Sequence, residues 1–347
     1  NNLDLRINRK VGFDNASWEG ADQGIHIGYI GSNFLSSLDI MGHEYTHGVI
    51  DYEAALVYEK EPGALNESFA DIFGTMIEKY AGSTWDWTIG EDVFDNDYLR
   101  NMSNPNDRWQ PATYLTDNFW VNTVNCTPVE DNDYCGVHTN SGVQNYWFYL
   151  LSEGGTFNNI TVTGIGTANA ARIAYYNMCY YLSSQSGYVQ ARSASISAAA
   201  SLFGMCSTEY QQVQNAWAAV GVGDPATPCT LLEVSSIYVS PYPSCGEYCN
   251  FSVNASGGNG PISYAWYVND NLISTYSWMS YYFSEYYSGP YNITLHVTDG
   301  NQNVYRYEYY YINCGDNLMA SAEGISIFVY PNPLTAEAKV NIIINNK

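Results

Sequence analysis

Three textures follow one another along the 347 residues. Residues 1–36 are short, glycine-punctuated runs that predict strands. From 37 to 222 the apolar positions recur at helical spacing. Leu38, Ile40, Met41 and Tyr45 mark one face, and Leu65, Phe69, Ile72, Phe73, Met76, Ile77 and Tyr80 mark a second. Further helices are expected near 141–153, 166–183, 188–203 and 208–220, with alanine dense in the third. After Gly223-Asp224-Pro225 the period changes. From about 233 to 316, short runs of Tyr, Val, Ile and Thr alternate with Gly, Asn and Ser, the pattern of an antiparallel β-sandwich. The chain therefore reads as α+β and multidomain.

Composition narrows the function classes. A hydrophobic content of 46% excludes a disordered chain, and the apolar stretches are too short and interrupted to span a bilayer. Net charge is −23, from 35 acidic against 12 basic residues, which argues against nucleic acid as a partner. The excess is read mainly as solubility or a saline habitat, with a minority of carboxylates left for cation binding. The eight cysteines contain no C-x-x-C pair and point to disulfides in an oxidising compartment. Cys126 and Cys135 bracket a short loop, Cys179 and Cys206 sit in neighbouring helical segments, and Cys229, Cys245, Cys249 and Cys314 admit three pairings. The opening NNLDLRINRK lacks the apolar stretch of a signal peptide, so a leader is expected to be removed or absent from this sequence.

The densest chemistry lies in Met41-Gly42-His43-Glu44-Tyr45-Thr46-His47-Gly48. On a helix, His43 and His47 project from one face one turn apart, where two imidazoles can reach one zinc ion. Glu44 lies about a hundred degrees round from His43, placed to touch a water at the metal without ligating it. A metzincin would carry its third histidine six residues after His47; that position is Glu53, and the glycine of that motif is Ile50. That branch fails.

Twenty residues after His47 comes Asn66-Glu67-Ser68-Phe69-Ala70-Asp71, which resembles the third-ligand motif of thermolysin-like zinc metalloproteases. The resemblance implies zinc on His43, His47 and Glu67, with Asp71 holding the spare ring nitrogen of His43 and Asn66 that of His47. It runs on to Ala218-Ala219-Val220-Gly221-Val222. Tyr58 matches the family's tyrosine that donates to the tetrahedral intermediate, and Gly136-Val137-His138-Thr139-Asn140-Ser141-Gly142 matches its second active-site histidine. His138 is then an oxyanion donor held by Asp133, and Glu44 the general base.

The same resemblance assigns substrate contacts. Asn15 and Ala16 fall on the edge strand that pairs with the substrate backbone, and Arg100 holds a substrate carbonyl. Phe34, Ile40, Ile89, Val93 and Leu99 line an apolar pocket for the residue after the scissile bond. Asp39, Glu78, Asp86 and Glu91, with a backbone oxygen of Thr88, match a structural calcium site. His26 and His296 lack such context and are read as structural.

Beyond the catalytic domain, Tyr264-Ala265-Trp266 and residues 291–300 resemble a PKD-type, immunoglobulin-like module. Its tyrosines (Tyr281, Tyr282, Tyr286, Tyr287, Tyr309, Tyr310, Tyr311) are read as ordinary exposed sheet positions in preference to a carbohydrate or protein contact surface. Ile327-Phe328-Val329-Tyr330-Pro331-Asn332-Pro333 resembles the opening of the type IX secretion sorting domain of Bacteroidota. The expected organisation is a thermolysin-like catalytic domain at 1–223, truncated at its N-terminal end with its β lobe largely missing. A linker at 224–232, a PKD/Ig-like β-sandwich at 233–316, a linker at 317–326 and the start of a sorting domain at 327–347 follow. The resemblance implies a secreted or cell-surface bacterial endopeptidase, dependent on one zinc and at least one calcium. It would act on protein or peptide substrates on the amino side of bulky apolar residues. The alternative is an inactive fragment, or a structural or binding protein on a protease scaffold.

Overall fold

Two helices carry the centre of the first half of the chain, and two glycines set how closely they approach. The computed structural model describes residues 6–10, 13–82, 85–94 and 97–314, with the backbone of Ile327–Phe328 and Asn341–Ile342. Helix α1 spans Leu38–Tyr52 and α2 spans Lys60–Ala81. A Cβ on Gly42 would lie 3.0 Å from the Gly74 Cα, and one on Gly74 only 2.5 Å from the Asp39 carbonyl oxygen. Any larger residue at either position would push the helices apart, and with them whatever their facing sides carry.

The chain divides into two compact units, Asn1–Leu231 and Leu232–Lys347. In the first, α1 and α2 are followed by α3 (Asp133–Asn140, whose first half is a left-handed turn rather than right-handed helix), α4 (Gly142–Glu153), α5 (Thr167–Tyr176), α6 (Tyr188–Phe203) and α7 (Thr208–Ala219). All six helices expected from periodicity are present. α3 and the hairpin Gly154–Phe157 with Ile160–Thr163 were not expected. Buried Trp147 of α4 stacks on buried Trp217 of α7, ring centroids 4.7 Å apart, and Trp217 Nε1 donates to Ser195 on α6. Burial of each such side chain contributes roughly 1.5–3 kcal/mol. The buried alanines Ala191, Ala194, Ala198 and Ala199 leave room for this packing.

Ahead of α1 lies a three-stranded sheet of β1 (Arg6–Arg9), β2 (Ala16–Glu19) and β3 (Gly24–Ile27), in the order β1-β3-β2. β2 is therefore an edge strand. Trp18 Nε1 on β2 donates to Asp51 Oδ2 on α1 at 2.8 Å, which ties this edge to the helix.

The second unit holds antiparallel strands, as the alternation predicts. Tyr238–Ser240, Tyr248–Ser252 and Trp278–Tyr282 form one sheet. Asn271–Ser274, Ser263–Val268, Gly289–Thr298 and Asn303–Ile312 form another in that spatial order. Both contribute to one core that includes Phe251, Met279, Trp266, Ile293 and Leu295. The tyrosines do not all face outward. Tyr309 and Tyr311 are exposed, but Tyr310 between them is buried with its ring 5.9 Å from Phe251, because successive strand residues face opposite sides. His26 contacts Asp22 and Asn8, and His296 contacts Asn303 and stacks on Tyr305. The Ile327–Pro333 motif lies outside the described residues apart from the backbone strand Ile327–Phe328, which pairs with Asn341–Ile342.

Three disulfides join Cys126 to Cys135, Cys206 to Cys229 and Cys245 to Cys314. The even count had suggested that every cysteine pairs. Instead Cys179 and Cys249 are free, and Cys206 reaches the segment after α7. Cys249 sits on an inward-facing strand position, where its buried thiol donates to the Pro241 carbonyl at 2.8 Å.

Candidate metal centre and active site

The close crossing of α1 and α2 brings three ligand atoms to one point. Helical spacing places His43 and His47 on one face of α1, and their Nε2 atoms lie 3.0 Å apart. Glu67 on α2 faces them: Oε2 is 3.4 Å from His43 Nε2, and Oε1 is 3.4 Å from His47 Nε2. All three ligand atoms fall within 4.8 Å of one another. Glu67 Oε2 is buried without a hydrogen bond of its own and faces both His43 Nε2 and His138 Nε2, each at 3.4 Å.

Each imidazole is fixed from behind. His43 Nδ1 lies 2.8 Å from Asp71 Oδ1, and His47 Nδ1 lies 2.7 Å from Asn66 Oδ1. Both partners can only accept at those atoms, so Nδ1 carries the proton and Nε2 is left as a lone-pair donor. This donor set fits Zn²⁺: two neutral imidazole nitrogens and one carboxylate oxygen, with one side open to a cleft.

The electrostatics favour a cation at the same point. Burial opposes charge on His43, but Asp71 and Glu67 outweigh it and push its pKa up to about 10, so without a metal the ring holds a second proton, which a cation at Nε2 would displace. Burial likewise works against ionised Glu67, yet His138, His47 and His43 hold its carboxyl well below the usual range. Burial and the neighbouring Glu67 charge raise Tyr58 well above an ordinary phenol, so it remains a donor at neutral pH.

A cleft of about 620 Å³ opens onto this point. Glu44 lines it beside His43, as the helical rotation required. Tyr58 Oη donates to Glu67 Oε1 and lies 3.2 Å from His138 Nε2. His138 is held by Asp133, whose Oδ1 is 2.5 Å from Nδ1 and whose Oδ2 accepts from the His138 backbone N–H at 3.0 Å. Burial again opposes charge on His138, and Glu67 and Asp133 raise its pKa.

The substrate-contact residues expected from sequence separate into two groups. Asn15, Ala16, Ile40, Ile89, Leu99 and Arg100 line the cleft. Phe34 and Val93 do not. Phe34 is exposed with its ring 4.6 Å from Tyr29, and Val93 is buried in the small core with Ile40 and Ile27. Leu35, one residue on from Phe34, faces the cleft instead. The two-residue strand Asn33–Phe34 ends just before it, and the alternation of sides decides which neighbour turns inward.

Arg100 lines the cleft and also makes an ion pair behind it. Its Nε and Nη2 donate to both oxygens of Asp71, at 2.8 and 2.6 Å, so this part of its fork is committed to the metal-site carboxylate. Sequence reasoning missed this pairing and missed Asn145 on α4, which donates to Asp71 Oδ2 at 2.8 Å while accepting from Ser68. No local motif announces a contact across 74 residues.

The acidic residues gather elsewhere on α1, α2 and the following loop. Asp39 and Glu78 are buried, and Asp39 accepts from the Gly90 N–H. Thr88 Oγ1, with one proton to donate, lies 2.6 Å from Asp86 Oδ1 and 2.9 Å from Glu91 Oε2. Burial and repulsion from Glu91, Asp39, Asp92 and Asp86 push Glu78 up to about 8. Burial and the charges of Asp39 and Asp86 push Glu91 up to about 7, against hydrogen bonds that oppose the shift. Among the described residues no three of these carboxylates converge as tightly as the histidine–glutamate group.

Comparison with known proteins covers this same unit. The thermolysin metallopeptidase catalytic domain matches residues 1–51, and the thermolysin metallopeptidase alpha-helical domain matches residues 54–222. Bacillolysin of Bacillus caldolyticus is 43% identical over 218 residues, covering 61% of this chain and 38% of that protein. Thermolysin of Alicyclobacillus acidocaldarius subsp. acidocaldarius gives the same values. Neutral protease B of Bacillus subtilis (strain 168) is 38% identical over 217 residues, covering 60% of this chain and 37% of that protein. The chain thus spans well under half the length of these relatives.

Proposed function

Because the chain belongs to the thermolysin metallopeptidase family through residues 1–51 and 54–222, we propose that it is a secreted zinc endopeptidase. The observation that carries this reading is the convergence of His43, His47 and Glu67 within 4.8 Å of one another beside the cleft-facing Glu44. Zinc bound there supplies a Lewis acid that acidifies water and polarises the scissile carbonyl. Glu44 takes the proton of the attacking water and later delivers it to the leaving amine. Tyr58 and His138 donate to the carbonyl oxygen as negative charge develops on it, while Asp133 keeps the His138 ring turned toward the cleft.

Substrate selection follows from the walls. The edge strand β2, which begins at Ala16 just after Asn15, offers backbone pairing to an extended peptide. Leu35, Ile40, Ile89 and Leu99 present apolar surface, which supports cleavage on the amino side of bulky apolar residues. Asp39, Glu78, Asp86, Glu91 and the Thr88 carbonyl are assigned to a structural calcium. The elevated pKa values of Glu78 and Glu91 support this, since they come from burial and from repulsion among carboxylates, and a hard cation offsets both. Three disulfides support an extracellular setting. Residues 233–316 are assigned to a PKD-like module and residues 327–347 to the start of a type IX sorting domain that attaches the enzyme to the cell surface.

The test is zinc content and cleavage of casein or a dye-labelled peptide, for the native chain and Glu44→Gln. Stoichiometric zinc in both, with cleavage by the native chain alone, is expected. Full activity in Glu44→Gln would sink the mechanism; a native chain with neither zinc nor cleavage returns the molecule to an inactive scaffold.

A further inference from the structure

The segment before His138 adopts a backbone that its own side chains disfavour. Asp133, Tyr134, Cys135 and Gly136 have φ of 55°, 48°, 71° and 83°, four consecutive residues in the left-handed region. Only Gly136 lacks a Cβ to clash there, so Asp133, Tyr134 and Cys135 carry the steric cost. The turn folds the chain back so that Asp133 reaches forward to His138. Its carboxylate accepts from the backbone N–H groups of His138 and Thr139 and holds His138 Nδ1. Strained backbone persists where its surroundings over-determine it.

Two things surround this turn. Asn132 Oδ1 accepts from the N–H groups of Val129 and Cys135, and the Tyr134 N–H donates to Val129. Cys135, fully buried, is bonded to Cys126 nine residues earlier. We propose that the Cys126–Cys135 disulfide is a positioning element for catalysis: it holds the left-handed turn and so keeps Asp133 and His138 aimed into the cleft. The inference rests on reading that cleft as a peptidase site. It makes the bond more than a loop staple, because the metal ligands on α1 and α2 do not depend on it. Loss of the bond lets Tyr134 and Cys135 relax toward ordinary backbone, carrying Asp133 away from His138 while the zinc site stays intact.

The experiment compares the native full chain with Cys126→Ser/Cys135→Ser and Cys126→Ser/Cys135→Gly, reading kcat, KM, zinc per chain and the thermal midpoint. The serine pair is expected to lose about tenfold or more in kcat, with zinc content unchanged and KM within about twofold. The glycine variant, also without the disulfide, is expected to recover most of kcat, since glycine adopts the left-handed turn freely. The proposal is overturned if the serine pair keeps native kcat, if zinc is lost together with kcat, or if the glycine variant is as slow as the serine pair. Should the serine pair not fold, the glycine variant is set against the native chain: kcat within about threefold supports the proposal and a tenfold loss overturns it. A native chain that cleaves no peptide sinks the reading of the site instead, and is distinguished by that control.

Discussion

Asp71 lies between His43 and Arg100 and satisfies both: Oδ1 is 2.8 Å from His43 Nδ1, and its two oxygens accept from the Arg100 guanidinium at 2.6 and 2.8 Å. Burial works against its charge, but Arg100 and His43 hold its carboxyl well below the usual range. With Asn145 also donating, Asp71 is a fully ionised acceptor without room to turn, and it fixes the tautomer of the histidine in front of it.

Asp71→Asn keeps the shape and removes the charge. It leaves part-buried Arg100 without its counter-ion beside a fully buried side chain, and lets the His43 ring choose the wrong tautomer. Expected are a loss of about 3–5 kcal/mol in stability, read by urea unfolding, and about 10–100-fold weaker zinc binding by chelator competition.

Tyr58→Phe removes one donor from the cleft while leaving His43, His47 and Glu67 in place. Zinc content should be unchanged and kcat should fall about 100-fold or more, with KM altered much less. An unchanged kcat would remove Tyr58 from the chemistry.

Gly74→Ala tests the helix crossing itself. The added methyl would stand 2.5 Å from the Asp39 carbonyl oxygen and force α1 from α2. A loss of about 1–3 kcal/mol is expected by denaturant unfolding, with weaker zinc binding because the ligands are split between the two helices.

Glu78 and Glu91 make stability depend on pH in a definite direction. Their folded pKa values of about 8 and about 7 lie above the ordinary 4.5, so the folded chain holds these protons more tightly than the unfolded one. The contribution is fully present below about pH 4.5 and is lost as pH rises through 7 and 8. With chelator present the thermal midpoint should therefore fall between about pH 5 and 8, and added Ca²⁺ should restore it most at the upper end. A midpoint indifferent to Ca²⁺ at pH 8 would remove the calcium assignment.

The free thiols give a chemical check on the covalent frame. Burial pushes the Cys249 thiol up to about 11, so it should resist alkylation at pH 8 in the folded chain and react once the chain is denatured. Cys179, half-buried, should be the faster of the two, and peptide mapping should return the three disulfides found here.

What the sequence determined on its own is what repeats locally. The four-residue steps from His43 to His47 and from Glu67 to Asp71 each lie on one helix face, and the apolar period marked six helices, although α5 stops at Tyr176 where 183 was expected and α2 already begins at Lys60. The tertiary structure decided everything that depends on how distant segments cross. It chose Leu35 over Phe34 for the cleft, committed Arg100 and Asn145 to Asp71, turned Tyr310 inward and left Cys179 and Cys249 unbonded. Local geometry is fixed by bond rotation and short-range sterics, which residue type reports. Contacts between distant segments depend on the path of the chain and on packing at a few tenths of an ångström. At Gly42 and Gly74 that packing, and with it the spacing of His43, His47 and Glu67, rests on two absent side chains.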